Sequence, residues 1–201
     1  MCSVLEVDYI AGWPDIFGKK MNEWLYINGH NKIKTLSLFS GGGGLDIGFS
    51  DCGFDIVEMI EIEKNYCKTL TENIGKSHYN NVNAKVTCLD IKEYLFDHNQ
   101  EIDFIIGGPP CQTFSAAGRR AFGVSGTDDP RGTLFIEYVR LLTTIKPKGF
   151  LFENVYGIVG AQGGKPWSEI QEEFQKAGYT IFLKSLIQQI TGFHNTENVY
   201  L

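Results

Sequence analysis

Lys34-Thr35-Leu36-Ser37-Leu38-Phe39-Ser40-Gly41-Gly42-Gly43-Gly44-Leu45 is the stretch that decides the fold. A short apolar strand, Thr35–Phe39, runs into four glycines and then into a helix around Leu45–Asp51. Strand, glycine turn and helix read as the first unit of an open α/β sheet, where ligands bind beyond the carboxyl ends of the strands. Outward from this unit the alternation repeats. It predicts a strand at Ile56–Ile60, a helix from about Lys64 to Asn73, and a weaker strand near Lys85–Thr87 leading to Asp90 and a short helical stretch, Lys92–Phe96. The strand Ile102–Ile106 ends in Gly107-Gly108-Pro109-Pro110-Cys111. After a long polar segment, Gln112–Pro130, come a helix from about Thr133 to Ile145, a strand Gly149–Phe152, a helix Pro166–Lys176 and a strand Thr180–Leu186. The expected fold is α/β, a doubly wound and mostly parallel sheet with crossover helices.

Glu61 ends the second strand, 17 positions after Gly44. That is near the offset of roughly 20 residues at which a carboxylate takes ribose hydroxyls. The G-x-G-x-x-G fingerprint is not kept, because the next glycine after Gly44 is Gly48. A turn not fixed for a pyrophosphate suits a nucleoside cofactor without phosphate, of which S-adenosylmethionine (SAM) is the obvious one. On this motif alone, a plain glycine-rich turn beside a solvated acid and an NAD or FAD site remain alternatives.

Length and composition bound the rest. The 201 residues suffice for one well-cored domain. No apolar run approaches the roughly 18–20 residues of a membrane span, and the N-terminus lacks a signal-peptide pattern, so the chain is expected inside the cell and off the membrane. Cys2, Cys52, Cys67, Cys88 and Cys111 are odd in number and widely spaced. They form no metal-ligand spacing and no disulfide framework, which leaves free thiols and no expected metal site. The net charge of −6 runs against a polyanion partner, whose affinity comes largely from Lys and Arg. Residues 1–32 show no clean period and read as an extension of unknown role, with 33–201 as the main domain.

Cys111 leaves a strand end behind two prolines that pin φ near −65°. An ordinary buried thiol is what most cysteines are. The flanking Pro-Pro, the strand end and the long loop make a presented nucleophile the better reading, provided that the site stabilises the thiolate.

Gly108-Pro109-Pro110-Cys111-Gln112-Thr113-Phe114-Ser115 resembles the Pro-Cys-Gln-x-Phe-Ser signature of the DNA (cytosine-5)-methyltransferase family. Phe39-Ser40-Gly41-Gly42-Gly43-Gly44 resembles that family's SAM-binding turn, and Glu153-Asn154-Val155 its Glu-Asn-Val motif. Asp129-Pro130-Arg131-Gly132-Thr133-Leu134-Phe135 resembles its helix-opening segment. The resemblance implies a Rossmann-like methyltransferase fold, incomplete at its C-terminal side, and methyl transfer from SAM to carbon 5 of cytosine through a covalent bond from Cys111 to carbon 6. Glu153 would be the acid at ring nitrogen 3, and burial beside an apolar strand would raise its pKa. For the cofactor it implies Phe39 packing on SAM, backbone contacts from Gly41 and Gly43, Glu61 on the ribose and Ile62 against the adenine. Asp90 and Ile91 would meet the adenine amino group and Leu134 would line the pocket, although Asp90 is also an ordinary N-cap.

On the DNA side it implies Pro110, Gln112 and Ser115 around a flipped base, with Asn154 tying the loop backbone. The segment 112–130 reads as a lid whose Arg119 and Arg120 meet phosphates, or as a solvated charged loop. Double-stranded DNA is the expected partner, in a bacterial or phage-like cytoplasmic setting. Two departures stand against the family pattern. His194, Thr196 and Asn198 occupy the places of a Gln-x-Arg-x-Arg segment, and neither Thr nor Asn replaces a guanidinium. The chain also carries no target-recognition domain, which leaves three expectations open: half of a two-polypeptide enzyme completed by a complementary chain, a truncated or decayed gene product, or a part of a longer protein. The rival expectation is a catalytically silent, truncated SAM-binding remnant; an RNA cytosine methyltransferase and a nicotinamide oxidoreductase stand further back.

Overall fold

A computed structural model describes residues 13–76, 83–110, 134–155, 157–182, 185–187 and 198–200. Five strands, β1 (Lys34–Leu38), β2 (Asp55–Glu61), β3 (Lys85–Cys88), β4 (Phe104–Gly107) and β5 (Gly149–Phe152), form one sheet in the order β3-β2-β1-β4-β5. Every neighbouring pair is parallel. The chain steps outward from β1 through β2 to β3, then returns to the other side of β1 with β4. The order therefore reverses between β1 and β4, and a crevice opens at such a switch point.

Register carries this crevice across the sheet. Leu38 pairs with Ile60 and with Gly107, Gly107 with Phe152, and Glu61 with Cys88. Residues 39, 61, 89, 108 and 153, each at or just past a strand end, consequently share one rim.

Helices cover both faces, as a buried parallel sheet requires. On one face α2 (Gly44–Asp51) and α3 (Lys64–Asn73) pack Leu45, Ile47, Phe49 and Leu70 over Ile56, Met59 and Ile106. On the other, α4 (Leu134–Ile145) and α6 (Lys165–Lys176) bring Tyr138, Leu141, Leu142, Ile170 and Phe174 onto Leu36, Leu38, Ile105 and Phe152. The fully buried Tyr138 hydroxyl donates to the carbonyls of Leu151 at 2.8 Å and Ile105 at 3.2 Å, tying β5 to β4.

Three departures from the sequence reading have physical reasons. Residues 13–27 form a helix, α1 (Trp13–Ile27), where no period was legible. Its Gly18 lies so close to the Asp51 carbonyl that a Cβ there would overlap it, and Leu25 is buried while Trp24, Tyr26 and Ile27 face solvent. Exposed apolar residues around one buried leucine blur the amphipathic stripe. The helical stretch after Asp90 is a single 3₁₀ turn, Ile91–Glu93, fixed at its start by Asp90 accepting from the Lys92 N–H at 3.0 Å. The last predicted strand of the parallel sheet is absent from it: Thr180–Phe182 are irregular, and Ser185–Ile187 (β7) instead pair antiparallel with β8 (Asn198–Tyr200). A two-residue strand, β6 (Asn154–Val155), pairs antiparallel with the other side of β8. It is followed by α5 (Gly157–Gly160). Among the described residues, no helix is long and apolar enough to cross a membrane.

Asp46, the third residue of α2, is fully buried and both its carboxylate oxygens lack a hydrogen-bond partner. Burial pushes its pKa from 3.8 up to about 6, and the nearby Ser37 hydroxyl only partly opposes this. A group whose folded pKa is raised gives stability that is full below its unfolded pKa and lost as pH rises through the folded one. We expect wild-type stability to fall, relative to Asp46→Asn, by about 2–3 kcal/mol between about pH 4 and pH 7 in urea unfolding. Parallel curves for the two proteins would refute an ionisable carboxylate buried at this point.

Candidate active site

A cleft of about 620 Å³ opens at the carboxyl rim of the sheet. That volume lies within the roughly 300–1,000 Å³ of small-molecule sites. Phe39, Glu61, Ile62, Asp90, Ile91, Leu134 and Pro110, all singled out in the sequence, line it together.

Phe39, which lines the cleft, opens the turn after β1. Phe39 holds φ at 56°, a left-handed value that a residue with a bulky side chain rarely adopts. The Ser40 N–H donates to the Ile60 carbonyl at 3.1 Å, fixing the chain as it turns. Gly41 and Gly43 follow with φ of 55° and 82°, values that cost glycine little. Their N–H groups are engaged inside the turn, Gly41 to Glu61 and Gly43 to the Ser40 carbonyl. Neither glycine lines the cleft.

Glu61 is 7% exposed and bonded at both oxygens. One accepts from the Gly41 N–H at 2.7 Å, the other from the N–H groups of Ile62 at 2.9 Å and Glu63 at 2.8 Å. An ionised carboxylate offers about four acceptor positions. Three are filled by backbone, which leaves about one for a hydroxyl in the cleft. Beside it Ile62 is mostly exposed and Ile91 is buried, giving an apolar wall on the β2 side. Asp90 is a true N-cap and also lines the cleft; one of its oxygens serves the Lys92 N–H. Tyr66, Glu63, Leu89 and Lys92 line the cleft as well and were missed in the sequence. For Tyr66 the available signal was an exposed aromatic in the first turn of the helix that follows Glu61.

Two thiols converge on the Glu61–Ile62 backbone from outside the cleft. The buried Cys67 donates to the Glu61 carbonyl at 3.4 Å, and the exposed Cys88 lies 3.9 Å from the Ile62 carbonyl. Burial, with Cys88 beside it, pushes the Cys67 thiol up to about 12.

The other side of the cleft is formed by Gly108 and Pro110, past the end of β4. Glu153 follows β5, and its N–H donates to the Gly107 carbonyl at 2.9 Å. Its carboxyl fills the space against Gly108, where a Cβ would overlap Oε2. Burial holds the Glu153 pKa above the ordinary value of 4.5. Asn154 is buried, and its Nδ2 reaches the Pro109 carbonyl at 3.4 Å, tying the two strand ends together. Cys111, Gln112, Ser115, Arg119 and Arg120, like Thr196, lie outside the described residues; Pro110, on the cleft wall, immediately precedes Cys111.

The fold is the Rossmann-like methyltransferase fold. A crystal structure of a prophage-encoded protein from E. coli, described as a DNA modification methyltransferase, superposes with a TM-score of 0.64 at 26% identity, covering 84% of this chain and 45% of that one. The profile of the C-5 cytosine-specific DNA methylase family matches residues 33–195. Type II methyltransferase M.FnuDI of Fusobacterium nucleatum is 45% identical over 154 residues, which is 77% of this chain and 41% of that protein. Type II methyltransferase M.NgoPII of Neisseria gonorrhoeae is 40% identical, covering 77% of this chain and 42% of that protein. This chain belongs to the C-5 cytosine-specific DNA methylase family. It spans about two fifths of the length of these two relatives.

Because a Cβ at Gly108 would collide with Glu153, Gly108→Ala should push that carboxyl toward solvent. Its NMR titration should then move down toward 4.5, burial being the cause of its elevation. An unmoved titration would place the carboxyl elsewhere.

Proposed function

We propose that this chain is the catalytic, cofactor-binding part of an enzyme that methylates carbon 5 of cytosine in double-stranded DNA. The supporting observation is one rim on which the Glu61 cleft and the Gly108–Pro110 and Glu153 cluster share a wall.

SAM, when bound, supplies an electrophilic methyl group on a sulfonium sulfur. Glu61 holds the ribose hydroxyls with its remaining acceptor capacity, while Ile62, Asp90 and Ile91 take the adenine. Phe39 and Leu134 close the apolar sides. On the DNA side, carbon 5 of cytosine is too electron-poor to take a methyl group unaided. Cys111, as thiolate, adds to carbon 6 and makes the ring enamine-like. Glu153 in its acid form donates to ring nitrogen 3 as charge builds there, which an ordinary carboxyl would be too strong an acid to do near neutrality. After transfer, the carbon 5 proton passes to water, the electron pair it leaves reforms the 5,6 double bond and expels the Cys111 thiolate, and ring nitrogen 3 returns its proton to Glu153. The base must leave the duplex for this chemistry. Pro110, Gln112 and Ser115 surround it, Asn154 steadies the loop backbone, and Arg119 and Arg120 meet phosphates. Base-edge contacts specify sequence, so a target-recognition segment is required beyond these residues, on the same polypeptide or on a complementing chain. Relatives that are type II methyltransferases support a modification role in a bacterial or phage setting.

A second reading is a SAM-binding chain without transferase activity. Thr196 and Asn198 favour it, standing where the family resemblance expects arginines.

Calorimetry should detect SAM, and Glu61→Ala should weaken it by roughly 1–3 kcal/mol, the cost of leaving buried polar partners unpaired. Unchanged affinity would remove Glu61 from the ribose. With SAM and a recognition partner supplied, a duplex carrying 5-fluorocytosine should form a covalent adduct with wild type and none with Cys111→Ser. No adduct from wild type under those conditions would favour the silent reading. Transfer should also fall as pH rises through the elevated Glu153 pKa, and Glu153→Gln should abolish that limb.

A further inference from the structure

We propose that Arg140 is a positioning residue for adenine selectivity, holding the segment Asp90–Tyr94 in the shape that faces the cleft. The proposal rests on the reading that this cleft takes the adenosyl group of SAM.

Asp90–Tyr94 has little to fix it from within. Two backbone bonds hold the 3₁₀ turn, from the Glu93 N–H to the Asp90 carbonyl at 2.8 Å and from the Tyr94 N–H to the Ile91 carbonyl at 3.2 Å, and such i to i+3 bonds have poorer geometry than those of an α-helix. Arg140, on α4 and packed on the same side of the sheet, adds a donor to the Ile91 carbonyl, which already accepts from the Tyr94 N–H at 3.2 Å, and another to the Tyr94 carbonyl beyond the turn. Its Nη2 donates to the Ile91 carbonyl at 2.9 Å and to the Tyr94 carbonyl at 3.2 Å. Its Nε donates to Glu137, one turn earlier on α4, at 2.7 Å, so the guanidinium plane is held from both sides. A lysine cannot reproduce this fork: an ammonium is a compact point charge on a flexible stem.

A second anchor acts on the same segment from the sheet. The buried Tyr94 hydroxyl donates to Glu58 on β2 at 2.8 Å. Glu58 in turn accepts from Lys85 at 2.9 Å and Thr87 at 2.5 Å, both on β3. Segment 90–94 is thus clamped between α4 and the β2–β3 pair.

Neither Arg140 nor Tyr94 lines the cleft, whereas Asp90, Ile91 and Lys92 do. Arg140 therefore acts through the backbone of the residues that face the adenine. Leu134, on the same helix, is a cleft wall residue, so α4 both borders the cleft and fixes its opposite side.

The experiment is calorimetry of S-adenosylhomocysteine against S-inosylhomocysteine, which carries a carbonyl in place of the adenine amino group. Wild type should prefer the adenine form. Arg140→Met keeps much of the aliphatic stem and removes the donors; it should cut that preference about fivefold or more, the scale of a lost charged hydrogen bond. Arg140→Lys should fail to restore it. Glu61→Ala should weaken both ligands alike and leave their ratio intact, because the ribose is common to both. Should Arg140→Met not fold, as judged by its melting transition, Tyr94→Phe tests the same clamp and should lower the ratio in the same direction. An unchanged ratio in a folded variant, with wild type binding normally, overturns the role of Arg140 while leaving the cofactor assignment standing. Failure of wild type to bind either ligand overturns the cofactor assignment, and this proposal with it.

Discussion

The carboxylate of Glu61 joins the end of β2 to the turn after β1 through the Gly41 N–H, at 2.7 Å, and caps its own strand exit through Ile62 and Glu63. This one side chain fixes the turn after β1 against the exit of β2. The glycine turn bends at a strained Phe39 and would have other conformations available to it. A charged acceptor with three backbone donors selects one of them, since charge-assisted bonds are roughly twice as strong as neutral ones. The placement of Phe39 and Glu61 in the cleft wall follows from that choice.

On the opposite wall the governing constraint is steric. Gly108 has no side chain, and the Glu153 carboxyl occupies the space that a Cβ would take. Burial there raises the carboxyl's pKa, and the parallel register that pairs Gly107 with Phe152 brings the two residues level. Acid character at Glu153 is thus a product of sheet register and one missing methyl group. The Asp46 carboxylate is elevated by the same physics, yet it sits beneath α2 and away from the cleft lining. Burial alone does not make a site; position on the rim does.

Elements with a strong local signature were legible in the sequence. The helix Lys64–Asn73 and the strand Gly149–Phe152 have the bounds read from pattern, and the glycine turn with its following acid marked the cleft. What escaped was tertiary. Arg140 meets carbonyls 46 and 49 positions earlier in the chain, and Tyr94 meets Glu58 across 36 positions. No periodicity encodes such pairs. Helix α1 was hidden because its exposed aromatics break the amphipathic pattern, and the antiparallel β6-β8-β7 sheet depends on pairing between distant short segments. Composition suggested a chain poorly suited to a polyanion, which left the fold unaffected.

Cys88 is exposed beside the Ile62 carbonyl, outside the cleft lining, whereas the neighbouring Cys67 is buried and a very weak acid. An alkylating reagent would therefore meet an accessible sulfur close to where the proposed nucleoside would lie. A maleimide adduct on Cys88 would crowd the Glu61–Ile62 strand exit and lower cofactor affinity without touching residue 111. Inactivation by thiol reagents, so often taken as the mark of a nucleophilic cysteine, would include any effect of modifying Cys88, and a Cys88→Ser background removes that contribution.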